Sequence, residues 1–153
     1  MKYASRTTVA ADRSRNEIER TLKRYGADQF AYGWGDGKAM IGFRMNGKFI
    51  RFKLTVPQQE DFKSTPTGRR RRSNITAEKA WDQAVRQSWR ALTLLVKAKL
   101  ESVESGITVF EDEFMAHIVM PDGRTVSEWA TPQIEQAYET GKVPPLLSAG
   151  TIQ

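Results

Sequence analysis

Three features of this 153-residue chain predict an α+β fold. Asp36-Gly37 and Asn46-Gly47 are dipeptides of two-residue hairpin turns, where both central residues need positive φ. The flanking stretches alternate apolar residues with polar or small ones, the two-residue period of strands. A long segment from about Ala77 to Glu104 instead repeats its apolar residues at helical spacing. The prediction is a three-stranded antiparallel meander packed against helices, with a helical C-terminal part.

The elements follow in chain order. Residues 3–9 alternate weakly and are expected to form either a strand added to the sheet or an extended arm. Asp12 or Ser14 can cap a helix reaching about Tyr25, because their oxygens accept the orphan N–H groups of a first turn. Ile18, Leu22 and Tyr25 make its apolar stripe, and Gly26 suits a left-handed C-cap. Strands are expected over about 29–35, 38–45 and 48–56. The turns place Met45 opposite Lys48, Phe43 opposite Ile50, Tyr32 opposite Ile41 and Trp34 opposite Ala39. Alternation then puts Phe30, Tyr32, Trp34, Ile41, Phe43, Ile50, Phe52 and Leu54 on one face, which helices should bury. Arg44, Phe49, Arg51 and Lys53 lie on the other face, beside the small Gly33 and Gly42.

Residues 57–75 read as a basic, flexible loop that contains Arg69-Arg70-Arg71-Arg72. Ser73, Asn74 or Thr76 can cap the long helix that follows. Trp81, Val85, Trp89, Leu92, Val96 and Val103 share its core side, while Lys79, Arg86, Arg90 and Lys97 form a cationic ridge elsewhere. Thr108 can cap a short helix over about 109–118. Pro121-Asp122-Gly123 is a turn, and Thr125 or Ser127 opens a last helix ending at Gly141. Pro132 marks either the true start of that helix or a kink. Residues 1–140 are thus expected to form one domain, and 141–153 an extended tail.

Composition restricts the chemistry. Zero cysteines exclude a disulfide framework, a thiolate metal site and a cysteine nucleophile. His117 is alone, without the partners of a triad or a histidine metal site. Glu111-Asp112-Glu113 points in different directions on a helix, so no metal site is expected there. Gly33-Trp34-Gly35-Asp36-Gly37 lacks the following helix and Lys of a phosphate-binding loop. No cofactor and no catalysis are expected, although carboxylate-and-metal chemistry is left open. No stretch approaches the roughly 18 to 20 apolar residues of a membrane span. The opening residues carry no apolar run, so no secretory signal is expected.

Charge gives the functional signal. Residues 1–105 hold 22 Lys and Arg against 11 Asp and Glu, a net of +11, while residues 106–153 hold 2 against 7, a net of −5. A basic body of this kind suits an anionic partner, usually nucleic acid. Arg69, Arg70, Arg71 and Arg72 are the sharpest feature, since guanidinium groups grip phosphate through paired hydrogen bonds. Lys79, Arg86, Arg90 and Lys97 would extend that positive surface. Arg44, Phe49, Arg51 and Lys53 form a second candidate surface, with one ring on which a base can stack. The bland readings are a solvated loop, a wet helix face and a covered sheet face.

The segments Ser14-Arg15-Asn16-Glu17-Ile18-Glu19, Tyr25-Gly26-Ala27, Pro121-Asp122-Gly123-Arg124-Thr125-Val126 and Pro144-Pro145-Leu146-Leu147 resemble small basic proteins of phage and mobile-element genomes. The resemblance covers most of the chain. It implies work on nucleic acid, in the cytoplasm of a bacterial host. The expected function is a non-catalytic nucleic-acid-binding protein. The alternative is a protein-interaction module, an adaptor or inhibitor docking on an acidic partner surface.

Overall fold

A computed structural model describes residues 2–143 except 65–67, 69 and 72, with side chains from residue 12 onward. Its elements are α1 (Lys2–Arg24), β1 (Gln29–Gly35), β2 (Lys38–Met45), β3 (Lys48–Thr55), α2 (Asn74–Glu104), α3 (Phe110–Phe114) and α4 (Val126–Thr140). Short 3-10 turns cover Gln59–Phe62 and Met115–His117.

The meander has the expected order and register, β1-β2-β3, with Phe43 opposite Ile50 and Tyr32 opposite Ile41. Its cause lies in the turns. Asp36 and Gly37 have φ of 51° and 70°, Asn46 and Gly47 of 52° and 73°. Positive φ at both central residues matches the right-handed twist of the strands, and Asp, Asn and Gly adopt it at least cost.

The buried sheet face meets α1, α2 and α3. Ile41, Phe43, Ile50 and Phe52 pack with Ile18 and Leu22 of α1, Val85, Trp89, Leu92, Val96 and Leu100 of α2, and Phe110 and Phe114 of α3. Phe43 and Phe52 stack at 6.4 Å, and Phe114 meets both edge-on, at 6.0 and 6.3 Å. Edge-on rings bring positive edges to negative faces and add to the burial energy.

Four expectations need correction. The N-terminal segment is not an added strand or an arm but the first part of α1. From Lys2 to Arg24 no Gly or Pro interrupts the chain, and once a helix is nucleated each further residue adds a bond cheaply. The β-branched Thr7, Thr8 and Val9 oppose this only weakly. Trp34, assigned to the buried face, is 80% exposed. It sits one residue from the end of the edge strand β1, beside a cavity that α1 and α2 leave open. Trp81 is half-buried rather than core, and its Nε1 donates to the Pro57 carbonyl at 2.7 Å. Thr108 does not cap α3: Val109 holds the N-cap position, and the buried Thr108 hydroxyl has no hydrogen-bond partner among the described residues.

The alternatives at the other helix ends resolve. Ser73 caps α2, accepting from the Thr76 N–H, and Thr125 caps α4, accepting from the Glu128 N–H. Pro132 therefore lies inside α4, which ends at Gly141 in the left-handed conformation. The loop after β3 contains the first 3-10 turn, where the Gln58 N–H donates to the Asp61 carboxylate at 3.2 Å. Residues 118–119 lie along β3, with the Val119 N–H donating to the Phe49 carbonyl at 2.8 Å. The tail from 144 lies outside the described residues.

Phe52→Ala should destabilise the protein by about 3 to 5 kcal/mol in urea denaturation, because the ring that packs against Phe43, Phe114 and His117 is removed and a cavity remains. His117 supplies a second test. It stacks on Phe52 at 4.1 Å, and burial, with the nearby Lys99 charge, depresses its pKa below the ordinary 6.5, against an opposing backbone hydrogen bond at Arg51. The unfolded chain thus takes up this proton first, so stability is full above about pH 6.5 and falls as pH drops toward the depressed folded value. The melting temperature should decline as pH falls below about 6.5, and His117→Phe should reduce that decline.

Candidate nucleic-acid interface

The cations predicted from sequence divide into three groups. Arg69 and Arg72 lie outside the described residues, whereas Arg70 and Arg71 are exposed just ahead of α2. Residue 71 forms an isolated antiparallel bridge with Ser64, which closes the loop on itself.

The sheet surface is largely committed within the molecule. The Arg44 guanidinium donates two hydrogen bonds to Asp28, one of them from Nε at 2.9 Å, and holds that carboxyl below its ordinary pKa. Glu128, in the first turn of α4, accepts from Lys53 Nζ at 3.0 Å and from Arg51 Nη2 at 3.2 Å. Those bonds, led by that of Lys53, lower the Glu128 pKa. Arg51 Nη2 also donates to the Gly123 carbonyl at 3.0 Å. The second candidate surface is therefore a face across which the acidic C-terminal part is tied. Phe49 remains 52% exposed.

The third group converges. Arg86, Arg90 and Lys97 of α2 line a cleft of about 420 Å³ together with Arg13, Ser14 and Glu17 of α1. Helical geometry brings this about. Arg86 and Arg90 are one turn apart, about 6 Å along the axis, and Lys97 lies about 10 Å further. On α1, Arg13 and Glu17 are likewise neighbours on one face. Side-chain bonds from Lys97 to Glu17 and from Tyr25 to Glu101 fasten the helices side by side, running in the same direction. Lys97 lowers the Glu17 pKa through that bond. Arg86 bonds to Asp82, which is only 6% exposed and so cannot rotate away into water. Arg13 and Arg90 appear in no ion pair among the described residues, and both are exposed. Lys79, at the N-terminal end of the ridge, lies outside the cleft.

Four cations against one lining carboxylate leave the cleft net positive, also when the Asp82 behind Arg86 is counted. Arg13 was the contributor not recognised from sequence as part of it. Its spacing to Glu17 was visible, but nothing in the sequence aligned that face with the middle of α2.

No group of three or more potential metal-ligating side chains occurs among the described residues, and no described helix is long and apolar enough to cross a membrane. No protein-family model matches the chain, and neither does any curated protein or solved structure.

Glu128→Gln should release Arg51 and Lys53. Elution from immobilised heparin should shift to higher salt, and by more than with Glu135→Gln, which removes the same charge from an exposed site further along α4.

Proposed function

We propose that this protein is a non-catalytic nucleic-acid-binding protein that holds phosphates in the cleft between α1 and α2. The observation that carries the reading is the convergence of Arg13, Arg86, Arg90 and Lys97 on one cavity. The net of +11 over residues 1–105 supports it, and the arginine run 69–72 would extend the contact ahead of α2. Affinity would come largely from counterion release, and binding would tolerate many sequences because phosphates carry no base information. The setting that fits is a phage or mobile element acting in the cytoplasm of its bacterial host. A second reading, a protein-interaction module, is favoured by the outward apolar side chains of the C-terminal part: Tyr138 is 87% exposed and Ile134 53%.

Arg13→Gln with Arg90→Gln should leave stability within about 0.5 kcal/mol, since both are surface positions without ion-pair partners among the described residues. Affinity should fall alike for all sequences. The slope of log K against log salt should become shallower, by up to about 0.9 for each duplex phosphate no longer neutralised and about 0.7 for each phosphate of a single strand. Absence of binding to any DNA or RNA at low salt would overturn the reading in favour of the interaction module.

A further inference from the structure

On the other flank of α1 lies a second cavity, of about 450 Å³, between α1, α2 and the β1–β2 turn. Its size is that of a small-molecule site. Four aromatic side chains line it: Tyr32, Trp34, Trp81 and Trp89. Three of these are held in place. Trp89 is buried, Tyr32 packs against it with ring centroids 5.7 Å apart, and the Trp81 indole is fastened to the Pro57 carbonyl. Trp34 differs, since its ring contributes almost nothing to the core. A tryptophan left in water at the mouth of a rigid aromatic cavity is a costly arrangement for folding alone, and such side chains are typical anchors of binding surfaces.

The rim carries Arg15 and Lys38. The Arg15 guanidinium lies 4.6 Å over the Tyr32 ring, and its other partner is Asp12 at 3.1 Å. Two cations and one carboxylate leave the rim positive. This charge disfavours an organic cation, the usual guest of aromatic cages. An aliphatic chain would fill the cavity yet leave the positive rim unmatched. A flat aromatic group joined to an anion satisfies both features.

We propose that this cavity holds one unpaired base of a single-stranded nucleic acid, stacked on Trp34, with Arg15 and Lys38 at its phosphate. The proposal deepens the nucleic-acid reading and rests on it. One turn of α1 serves both sites: Arg13 faces the basic cleft while Asp12 and Arg15 face the aromatic cavity. Phosphates held in the cleft give affinity without regard to base, and the cavity adds selection for strands whose bases are unstacked.

The test compares a short oligothymidylate with an oligomer of the same length and charge made of abasic sugar phosphates. Binding is followed by fluorescence anisotropy of end-labelled strands, with intrinsic tryptophan emission as a second signal. The base-bearing strand should bind about tenfold more tightly, as expected for one base stacked on a ring, and should quench tryptophan emission. Trp34→Ala should reduce its affinity to that of the abasic strand and leave abasic binding unchanged. Tyr138→Ala, on α4, should change neither. Equal affinity of the two strands for the wild-type protein would overturn the base site while leaving the phosphate cleft intact. Failure of both strands and of duplex DNA to bind at low salt would overturn the cleft as well. Quenching by a proline-rich peptide, abolished in Trp34→Ala, with no discrimination between the strands, would assign the cavity to a protein partner and overturn the base site.

Discussion

Positive φ at Asp36, Gly37, Asn46 and Gly47 holds the meander in one register, and the rest of the molecule depends on that register. A slip of one residue would turn Phe43, Ile50 and Phe52 to the outside and bring Arg44, Arg51 and Lys53 inward. With the register fixed, the aromatic face demands cover. The helices α1 and α2 are brought side by side over it, and their alignment creates both cavities. The functional candidates are thus by-products of how one sheet face is buried.

Much of the positive charge is used within the fold. Asp28, Glu17, Asp82 and Glu128 each hold at least one cation. Most of these pairs are exposed and contribute little to stability. Their larger effect is on the field: they lessen it over the sheet and leave it concentrated in the cleft, where Arg13 and Arg90 appear in no ion pair among the described residues and four cations outnumber the one lining carboxylate, Glu17. The total charge is therefore a poor guide to location, and pairing decides which basic surface remains attractive to an anion.

The meander was legible because its signals are local: two turn dipeptides and an alternation with a strict period. The apolar stripe of α2 was legible for the same reason, from Val85 through Val96. The N-terminal helix was hidden by the weak alternation of Tyr3, Ser5, Thr7 and Val9, a short-range pattern overruled by the absence of any helix breaker. The exposure of Trp34 was hidden because alternation assigns a face but not how far the cover extends along it. The cleft required knowledge of which turn of α1 meets which turn of α2. That relation is set by long-range packing of Ile18 and Leu22 and leaves no periodic trace.

The last helix buries none of its residues, and Pro132 deprives it of one internal hydrogen bond. A helix of 15 residues with so little packing is marginal on its own. Little packing and a missing bond put such a helix at the low-stability end of a fold, where local opening precedes that of a core such as β2 and α2. This helix carries Glu128, Glu135 and Glu139, three of the chain's 18 acidic residues, and no basic one. Glu128 reaches Arg51 and Lys53 from this helix, so an opening of α4 would lift it away and turn the sheet face from neutralised to cationic without any rearrangement of the aromatic core.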